Sequence, residues 1–285
     1  MRQLNIVHVT EYRFNLPVTL LPHRLRLRPL ESHGLRIESS RLEISPSHSI
    51  RWYRDALGNS VATVTFAEMS DTVHIVSDLN ISVYEDAPLD FLLEDYAVSF
   101  PFAYLYDEQL DLAPFETCVY PDDLTALHNW LDALGLLQRP IETFPLLSRL
   151  NCEIANRFSY RAREEEGVQS PAKTLALNSG SCRDFAALFM EACRYMGLAS
   201  RFVSGYLHMP DYESGNATTH AWAEVYLPGP GWKGFDPTSG LVTGNHHIPV
   251  AVARHPETVP PVSGSFVGPA GQLPALTVSV QVRGI

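Results

Sequence analysis

The segment Ser179-Gly-Ser-Cys-Arg-Asp-Phe-Ala-Ala-Leu-Phe-Met-Glu-Ala-Cys-Arg-Tyr-Met-Gly197 carries the clearest structural signal in the chain. Its apolar residues recur at the spacing of an amphipathic helix, at positions 185, 188, 189, 192, 193 and 196. Gly197 is expected to end this helix. Ser181 and Asp184 resemble a capping box with Asp in place of Glu, so Cys182 is predicted to be the first helical residue.

Cys182 is the candidate nucleophile because of where that helix begins. Unpaired backbone N–H groups and the positive end of the helix dipole favour the thiolate form of a cysteine there. The alternative is that Cys182 is a small buried apolar residue, as Cys193 on the apolar stripe is expected to be. A thiolate nucleophile also needs a base and a group that orients the base.

A predicted β-hairpin after the helix supplies candidates for both groups. Residues 219–227 alternate, with His220 on one strand face and an apolar series on the other. Residues 228–231, Pro-Gly-Pro-Gly, predict a turn, and the return strand ends at Asp236. The hairpin brings His220 and Asp236 toward the same end of adjacent strands, where the carboxylate can fix the imidazole tautomer. Cys182, His220 and Asp236 are therefore candidates for a catalytic triad.

Composition limits the classes of protein that the chain can be. With 285 residues, 45% hydrophobic and 19% charged, it can form a packed core of one to two domains. The net charge of −11 argues against nucleic acid as a partner. Apolar runs are too short for a membrane helix, and residues 1–15 lack the apolar stretch of a secretory signal. We expect a cytoplasmic enzyme or binding protein of bacterial type, with no membrane partner.

Metal and disulfide chemistry are not expected from the spacing of cysteine and histidine. No C-x-x-C pair occurs, so a zinc knuckle is not predicted and the cysteines are expected to be reduced. His246 and His247 are adjacent, but no carboxylate or cysteine cluster accompanies them in the sequence. Asp184 is assigned to helix capping rather than to the triad, because it falls in the first helical turn.

The chain divides into three predicted parts. Residues 1–95 hold several short alternating runs separated by turn signals, which predicts an antiparallel β-sandwich. Residues 96–144 form an acidic linking segment that is partly helical, with a helix opening at Asp122-Asp123 and ending at Gly135. Residues 145–285 are predicted to be the catalytic core with a final C-terminal strand, whose partner sheet the sequence leaves open.

Four motifs resemble the core of the transglutaminase-like superfamily. They are Asn178-Ser-Gly-Ser-Cys-Arg-Asp-Phe-Ala186, Arg201-Phe-Val-Ser-Gly-Tyr206, Thr219-His-Ala-Trp-Ala-Glu-Val-Tyr226 and Gly231-Trp-Lys-Gly-Phe-Asp-Pro-Thr238. The segment Pro22-His-Arg-Leu-Arg-Leu-Arg-Pro29 resembles the β-rich region that precedes this core in bacterial members. The resemblance implies a papain-related α+β core with Cys182, His220 and Asp236 as the triad. No calcium-binding acidic loop of the animal enzymes is recognisable, so we expect no metal and no cofactor.

Two aromatic residues are further candidates for the site. The backbone N–H of Cys182 is one expected oxyanion donor. Because relatives often place an aromatic donor just upstream, Tyr160 is a candidate for the second donor, with ordinary packing as the alternative. Trp222 is a candidate wall of the acyl-binding site, since an indole offers a large apolar surface and one donor.

The function predicted from these residues is cysteine-dependent acyl transfer on an amide or peptide bond. The thioester at Cys182 is resolved by water in a peptidase or amidase, which we favour, or by an amine in a transglutaminase. A catalytically silent scaffold or binding protein is the third hypothesis, and loss of a triad residue would be its signature. The expected partner is a peptide or protein substrate, and the resemblance is consistent with a functional association with peptide-ligase enzymes. The sequence does not give the oligomeric state.

Overall fold

The computed structural model describes residues 1–84, 88–163, 165–208 and 216–285, with backbone only for residues 216–218. Long strands come first, followed by a helical segment, a mixed core and a return to strands. The first strands are β1 (Arg2–Leu20), β2 (His23–Leu25), β3 (Leu35–Ser45), β4 (His48–Arg54), β5 (Ser60–Phe66) and β6 (Ser70–Val83). The middle segment holds β7 (Ser99–Phe100), α1 (Tyr106–Glu116), α2 (Leu124–Ala133) and β8 (Ile141–Glu142).

The core contains three further helices and a central antiparallel sheet. Its elements are α3 (Thr143–Arg157), β9 (Ser159–Tyr160), α4 (Pro171–Leu177), β10 (Ser179–Gly180), α5 (Cys182–Tyr195), β11 (Ser200–Leu207), β12 (Asn216–Leu227), β13 (Gly231–Asp236), β14 (Leu241–Val242) and β15 (His247–Ala253). The chain then ends with β16 (Val262–Ser263), β17 (Phe266–Val267) and β18 (Ala275–Gly284). This combination of helices and antiparallel strands confirms the predicted α+β class.

The N-terminal region is an antiparallel β-sandwich, as the turn spacing predicts. One sheet runs β18-β1-β6-β3, and the other runs β16-β2-β5-β4. Apolar side chains fill the space between the two sheets, because alternate residues of each strand point toward the same face. The buried members of this cluster are Phe14, Val18, Leu20, Leu25, Leu27, Ala62, Val64, Val73 and Ile75.

The C-terminal strand belongs mainly to the N-terminal sheet, which answers the question of its partner sheet that the sequence leaves open. β18 pairs with β1 along the register from Leu4↔Gly284 to Arg13↔Ala275. It meets the core only through two pairs with the start of β12. The strands β16 and β17 likewise pair with β2 and β1. Alternating apolar residues predict a strand, but they do not identify its partner, which is set by long-range packing.

The middle segment is part of the core rather than a linker. Helix α2 spans Leu124–Ala133, and Gly135 follows with a φ of 67°, so the predicted helix is confirmed. Its inward face, Leu127 and Leu131, is fully buried in the same apolar cluster as α5. The acidic residues of the segment are exposed or half-buried, so its charge pattern predicts a linking role rather than a buried face.

Helix α5 packs against β12, and this contact fixes the start of α5 relative to the hairpin. The apolar series of β12, predicted to share one face, is buried in the cluster that also contains Phe185 and Phe189 of α5. Two alanines in that series, Ala221 and Ala223, allow the helix to lie close to the sheet. Among the described residues, no helix is long and apolar enough to span a bilayer.

Two glycines of the sequence motifs are required by close approaches. A Cβ on Gly205 would lie 2.3 Å from the carbonyl oxygen of Ile248 and 2.6 Å from the ring of Trp222. A Cβ on Gly234 would lie 2.0 Å from Oγ1 of Thr243. Both distances are below any normal contact, so these positions can hold only glycine without movement of the neighbouring strands.

Asn59 joins the N-terminal sandwich to the core sheet. Its side chain is fully buried, donates to the carbonyl oxygen of Val252 at 2.8 Å and accepts from the N–H of Val252 at 2.8 Å. The amide therefore pairs with β15 as a neighbouring strand would. Asp55 Oδ2 accepts the second N–H of the Asn59 amide at 2.9 Å, so both amide hydrogens and the amide oxygen have partners.

We expect the substitution Asn59→Ala to lower the free energy of unfolding by about 2–3 kcal/mol, because both backbone groups of buried Val252 lose their partner. Urea unfolding followed by tryptophan fluorescence measures the change. Asn80→Ala is the control, since Asn80 is only half-buried and its side chain bonds to two other side chains, Ser39 and Asn5, rather than to backbone. The control is expected to lose less than about 1 kcal/mol, and equal losses would refute the role of Asn59.

Candidate active site

Cys182 is the first residue of α5, as the sequence predicts. Ser181 is the N-cap, with extended backbone at φ −92° and ψ 176°. Its backbone N–H and its hydroxyl both donate to Oδ2 of Asp184 at 2.8 Å. The N–H of Asp184 donates to the carbonyl oxygen of Ser181 at 3.0 Å, while the N–H of Cys182, at the first helical position, has no acceptor within the helix. The thiol itself is half-buried.

Asp184 anchors the loop that precedes the helix. The carboxylate is fully buried, and its Oδ1 accepts from the N–H of Gln169 at 2.8 Å and from Arg163 Nη1 at 2.7 Å. Burial acts to raise the pKa of Asp184, but the hydrogen bonds from Ser181, Gln169 and Arg163 outweigh it and lower the pKa. This position agrees with the capping role predicted for Asp184.

His220 pairs with Asp236 and lies on the same pocket wall as Cys182. Its Nε2 lies 3.0 Å from Oδ2 of Asp236, and its side chain lies close enough to Cys182 for the thiol to act on its pKa. Since Nε2 faces the carboxylate, the other ring nitrogen is left for the thiol. Burial acts to lower the pKa of His220, but the hydrogen bonds and charges of Asp236 and Cys182 outweigh it and raise the pKa to about 10.

Asp236 is held by four contacts at the end of β13. Its Oδ2 faces His220, accepts from Ser239 Oγ at 3.0 Å and lies 3.3 Å from His247 Nε2. Its Oδ1 accepts from the N–H of Thr238 at 2.9 Å. Burial acts to raise the pKa of Asp236, but the hydrogen bonds from His220 and His247 hold the pKa far below its usual range. Asp236 is therefore a carboxylate at neutral pH.

Cys182 and His220 line a pocket of about 580 Å³. One wall is apolar and formed by residues after β15, including Pro256, Val259 and Pro260. The exposed carboxylates Glu166 and Glu257 also line the pocket, so the site is open to solvent at this side. A cavity of this size accommodates several groups of a peptide beside the sulfur atom.

The two aromatic candidates take different positions. Tyr160 is 55% exposed, and its strand β9 pairs in parallel with β10, just before Cys182. Burial raises the pKa of Tyr160, and the nearby Cys182 raises it further. Trp222 is buried beside His220, with ring centroids 6.2 Å apart, and it lies outside the residues that line the Cys182 pocket. Their predicted roles stay predictions.

His247 is the residue that sequence reasoning missed. The dipeptide His246-His247 offers two possible metal ligands, but no carboxylate or cysteine cluster accompanies it in the sequence, so no role is predicted for it. The structure brings Asp236 to His247 from eleven residues away. His220, Asp236 and His247 offer ligand atoms that lie within 4.8 Å of one another, so this set has the composition of a metal site. As arranged, the three side chains are joined by hydrogen bonds.

The raised pKa of His220 gives a direct prediction. Its pKa of about 10 in the folded protein lies above the ordinary histidine value of 6.5, so the stability that its charged form supplies is present below about pH 6.5 and is lost as the pH rises toward 10. We expect the His220 ring to stay protonated between pH 6 and 8, and histidine NMR titration measures this.

Asp236→Asn provides the comparison for that titration. The substitution removes the negative charge that raises the pKa of His220, so we expect the midpoint to move down by at least about one unit. A wild-type His220 that titrates near 6.5, or a midpoint that is the same in both proteins, would contradict the described pairing.

Comparisons with known proteins agree with the fold and the motifs. Residues 4–82 match the bacterial transglutaminase-like N-terminal region, and residues 141–237 match the transglutaminase-like superfamily. A crystal structure of a candidate cysteine protease from Cytophaga hutchinsonii covers 100% of this chain and 91% of its own, with a TM-score of 0.75 and 18% identity. The chain belongs to the transglutaminase-like superfamily.

Relatives of nearly the same length occur in mycobacteria. An uncharacterized protein of Mycobacterium tuberculosis is 30% identical over 277 residues, which cover 91% of this chain and 86% of the relative. An uncharacterized protein of Mycobacterium leprae is 24% identical over 276 residues, which cover 94% of both chains. The likeness therefore includes the N-terminal sandwich as well as the core.

Proposed function

We propose that this protein is a cysteine-dependent amide hydrolase in which Cys182 is the nucleophile, His220 the base and Asp236 the group that orients the base. The observation that carries the proposal is that Cys182 and His220 line the same pocket of about 580 Å³, and His220 is hydrogen-bonded to buried Asp236 at 3.0 Å. A nucleophile, a base and an orienting carboxylate in contact define the arrangement that acyl transfer requires.

The reaction begins with attack on an amide carbonyl. The Cys182 sulfur forms a bond to the carbonyl carbon while the thiol proton resides on His220. The imidazolium then gives this proton to the departing nitrogen, the C–N bond breaks, and a thioester remains. Asp236 stabilises the imidazolium and keeps Nε2 directed toward itself, so the other ring nitrogen faces the sulfur.

Water completes the cycle in the hydrolytic reaction. His220 accepts a proton from a water molecule, whose oxygen attacks the thioester carbon. The C–S bond then breaks, the acid is released and the proton returns to the sulfur. The backbone N–H of Cys182, unpaired at the start of α5, is suited to stabilise the oxyanion in both steps. Tyr160 is the proposed second donor.

The openness of the pocket favours water as the acyl acceptor. Cys182 is half-buried rather than enclosed, and exposed Glu166 and Glu257 stand at the pocket. The same two carboxylates favour an amine acceptor as the second candidate, because they attract a cationic group. We further propose that the substrate is a peptide or protein. The proposal also includes a cytoplasmic location and an association with peptide ligases.

Acceptor competition tests the proposal. The protein is incubated with a library of peptidyl-aminomethylcoumarin substrates, with and without monodansylcadaverine as the amine. We expect release of the free peptide acid and coumarin, with little dansylated product. Predominant dansylation would establish cross-linking chemistry, and absence of both products at every substrate would support the silent scaffold.

A further inference from the structure

His247 is a partly buried imidazole beside the proposed triad that the mechanism above does not use. It begins β15, which pairs with β11 in the core sheet. Its Nε2 lies 3.3 Å from Oδ2 of Asp236, and the side chain is 9% exposed. Its ring centroid is 6.1 Å from that of His220, so the two imidazoles approach one carboxylate from different directions.

The backbone sets the direction of the hydrogen bond. The N–H of Gly244 donates to Nδ1 of His247 at 3.5 Å, so Nδ1 acts as an acceptor. Nε2 then carries the proton and donates to Asp236. The N–H of His247 donates to the carbonyl oxygen of Gly244 at 2.9 Å, which holds the backbone of the same turn.

Aromatic packing fixes the ring of His247. Trp222 meets it edge to face, with centroids 5.2 Å apart and an interplanar angle of 77°. Trp222 itself is 1% exposed and also lies against His220. Gly205 lies directly against the indole, where a Cβ would clash. Trp222 therefore holds both histidines in place, one on each side of Asp236.

The far side of His247 faces a second cavity. This cavity of about 540 Å³ lies between the N-terminal sandwich and the core, with Leu30, Tyr84, Trp222 and Trp232 among its lining residues. Cys182 and His220 line the other pocket. A small molecule in the second cavity can therefore reach the position of the His247 ring without passing the nucleophile.

We propose that His247 is a positioning residue that donates from Nε2 to Asp236 and keeps the Asp236 carboxylate directed at His220. The inference rests on the proposed function of the triad. Without this donor, Oδ2 keeps only its contacts with Ser239 and His220, and the carboxylate can rotate away from the imidazole. The orientation of His220 toward Cys182 is then lost in part, while the substrate pocket is unchanged.

The matched variants His247→Leu and His247→Gln test the donor directly, because both side chains have a similar size and only glutamine carries an N–H donor. For His247→Leu we expect kcat to fall about tenfold with KM unchanged, from the loss of one hydrogen bond to a charged group. Alkylation of Cys182 by iodoacetamide at pH 7 is expected to slow by a similar factor. His247→Gln is expected to lie within about threefold of wild type.

The controls separate this proposal from the proposed function. His246→Ala changes the neighbouring histidine and is expected to leave the alkylation rate unchanged. If wild type hydrolyses no amide, the proposed function fails, and the alkylation rates of the leucine and glutamine variants alone decide the role of His247. Equal rates in wild type, His247→Leu and His247→Gln would overturn the role of His247.

If His247→Leu does not fold, His247→Ala with added imidazole replaces that variant. Faster alkylation with imidazole than without it supports the proposal, whereas an unchanged rate overturns the proposal.

Discussion

Cys182→Ala is expected to abolish amide hydrolysis, with a loss in kcat of at least about 10³-fold. The sulfur forms the only covalent bond between protein and substrate in the proposed cycle, and the methyl group of alanine cannot form it. The fold is expected to survive, because Cys182 is half-buried and Ser181 and Asp184 still cap the helix. Substrate turnover measured by coumarin fluorescence gives the loss.

Cys152→Ala is the matched control for that loss. Cys152 is exposed, and its sulfur donates only to the carbonyl oxygen of Gly240 at 3.5 Å. Its activity is expected to stay within about twofold of wild type. Activity that persists in Cys182→Ala and disappears in Cys152→Ala would show that the nucleophile is Cys152 on α3, which would contradict the proposal.

Glu191→Gln is expected to lower the free energy of unfolding by about 3–5 kcal/mol, the largest loss of stability that we predict. Glu191 and Arg194 of α5 are fully buried and paired at 2.7 Å. The second oxygen of Glu191 accepts from the N–H groups of Val119 and Tyr120, at 2.8 and 3.1 Å. Glutamine leaves the guanidinium of Arg194 without its counter-charge inside the protein, and it can satisfy only one of these acceptor roles well.

The contacts of Arg194 explain why apolar residues cannot replace the Glu191–Arg194 pair without loss of stability. Its guanidinium also donates to the carbonyl oxygens of Phe115, Ser200 and Arg254, at 2.7 to 2.9 Å. It therefore ties α1 and the ends of β11 and β15 to the helix that carries Cys182. A double change to methionine leaves these carbonyls unpaired, so we expect it to destabilise the fold as well.

Urea unfolding measures the effect of Glu191→Gln, and Glu43→Gln is its control. Glu43 pairs with Arg41 on the exposed face of β3, with the two side chains 54% and 77% exposed. Such surface pairs contribute about 0–1 kcal/mol. A loss at Glu191 that is as small as the loss at Glu43 would mean that the buried network does not hold α5 in place.

Local patterns predict the first part of the site well. The helical period from 185 to 196 places Cys182 at a helix start, and the capping pair Ser181 and Asp184 fixes that start to the residue. Alternation along β12 separates His220 from the apolar face that packs on α5. The hairpin to Asp236 follows from its turn residues. Each of these inferences depends on neighbours within about twenty residues in the sequence.

Contacts between distant segments could not be predicted in the same way. His247 reaches Asp236 because β15 crosses to the edge of β11, and no local pattern encodes that crossing. The alternating residues of β18 predict a strand, but its pairing with β1 joins the two ends of the chain. Helix α2 shows the same limit, since its leucines indicate a buried face without indicating that α5 covers it.

The most direct test of the account is the alkylation rate of each cysteine, with and without His220. Peptide mass mapping after timed exposure to iodoacetamide at pH 7 measures all four thiols in one protein. Cys152 serves as the exposed reference, and Cys193 is fully buried, with a pKa that burial raises. We predict that Cys182 reacts at least about tenfold faster than Cys152 although it is less exposed, and that His220→Ala removes this advantage. A Cys182 that reacts no faster than Cys152, at a rate that His220→Ala does not change, would contradict the proposed triad.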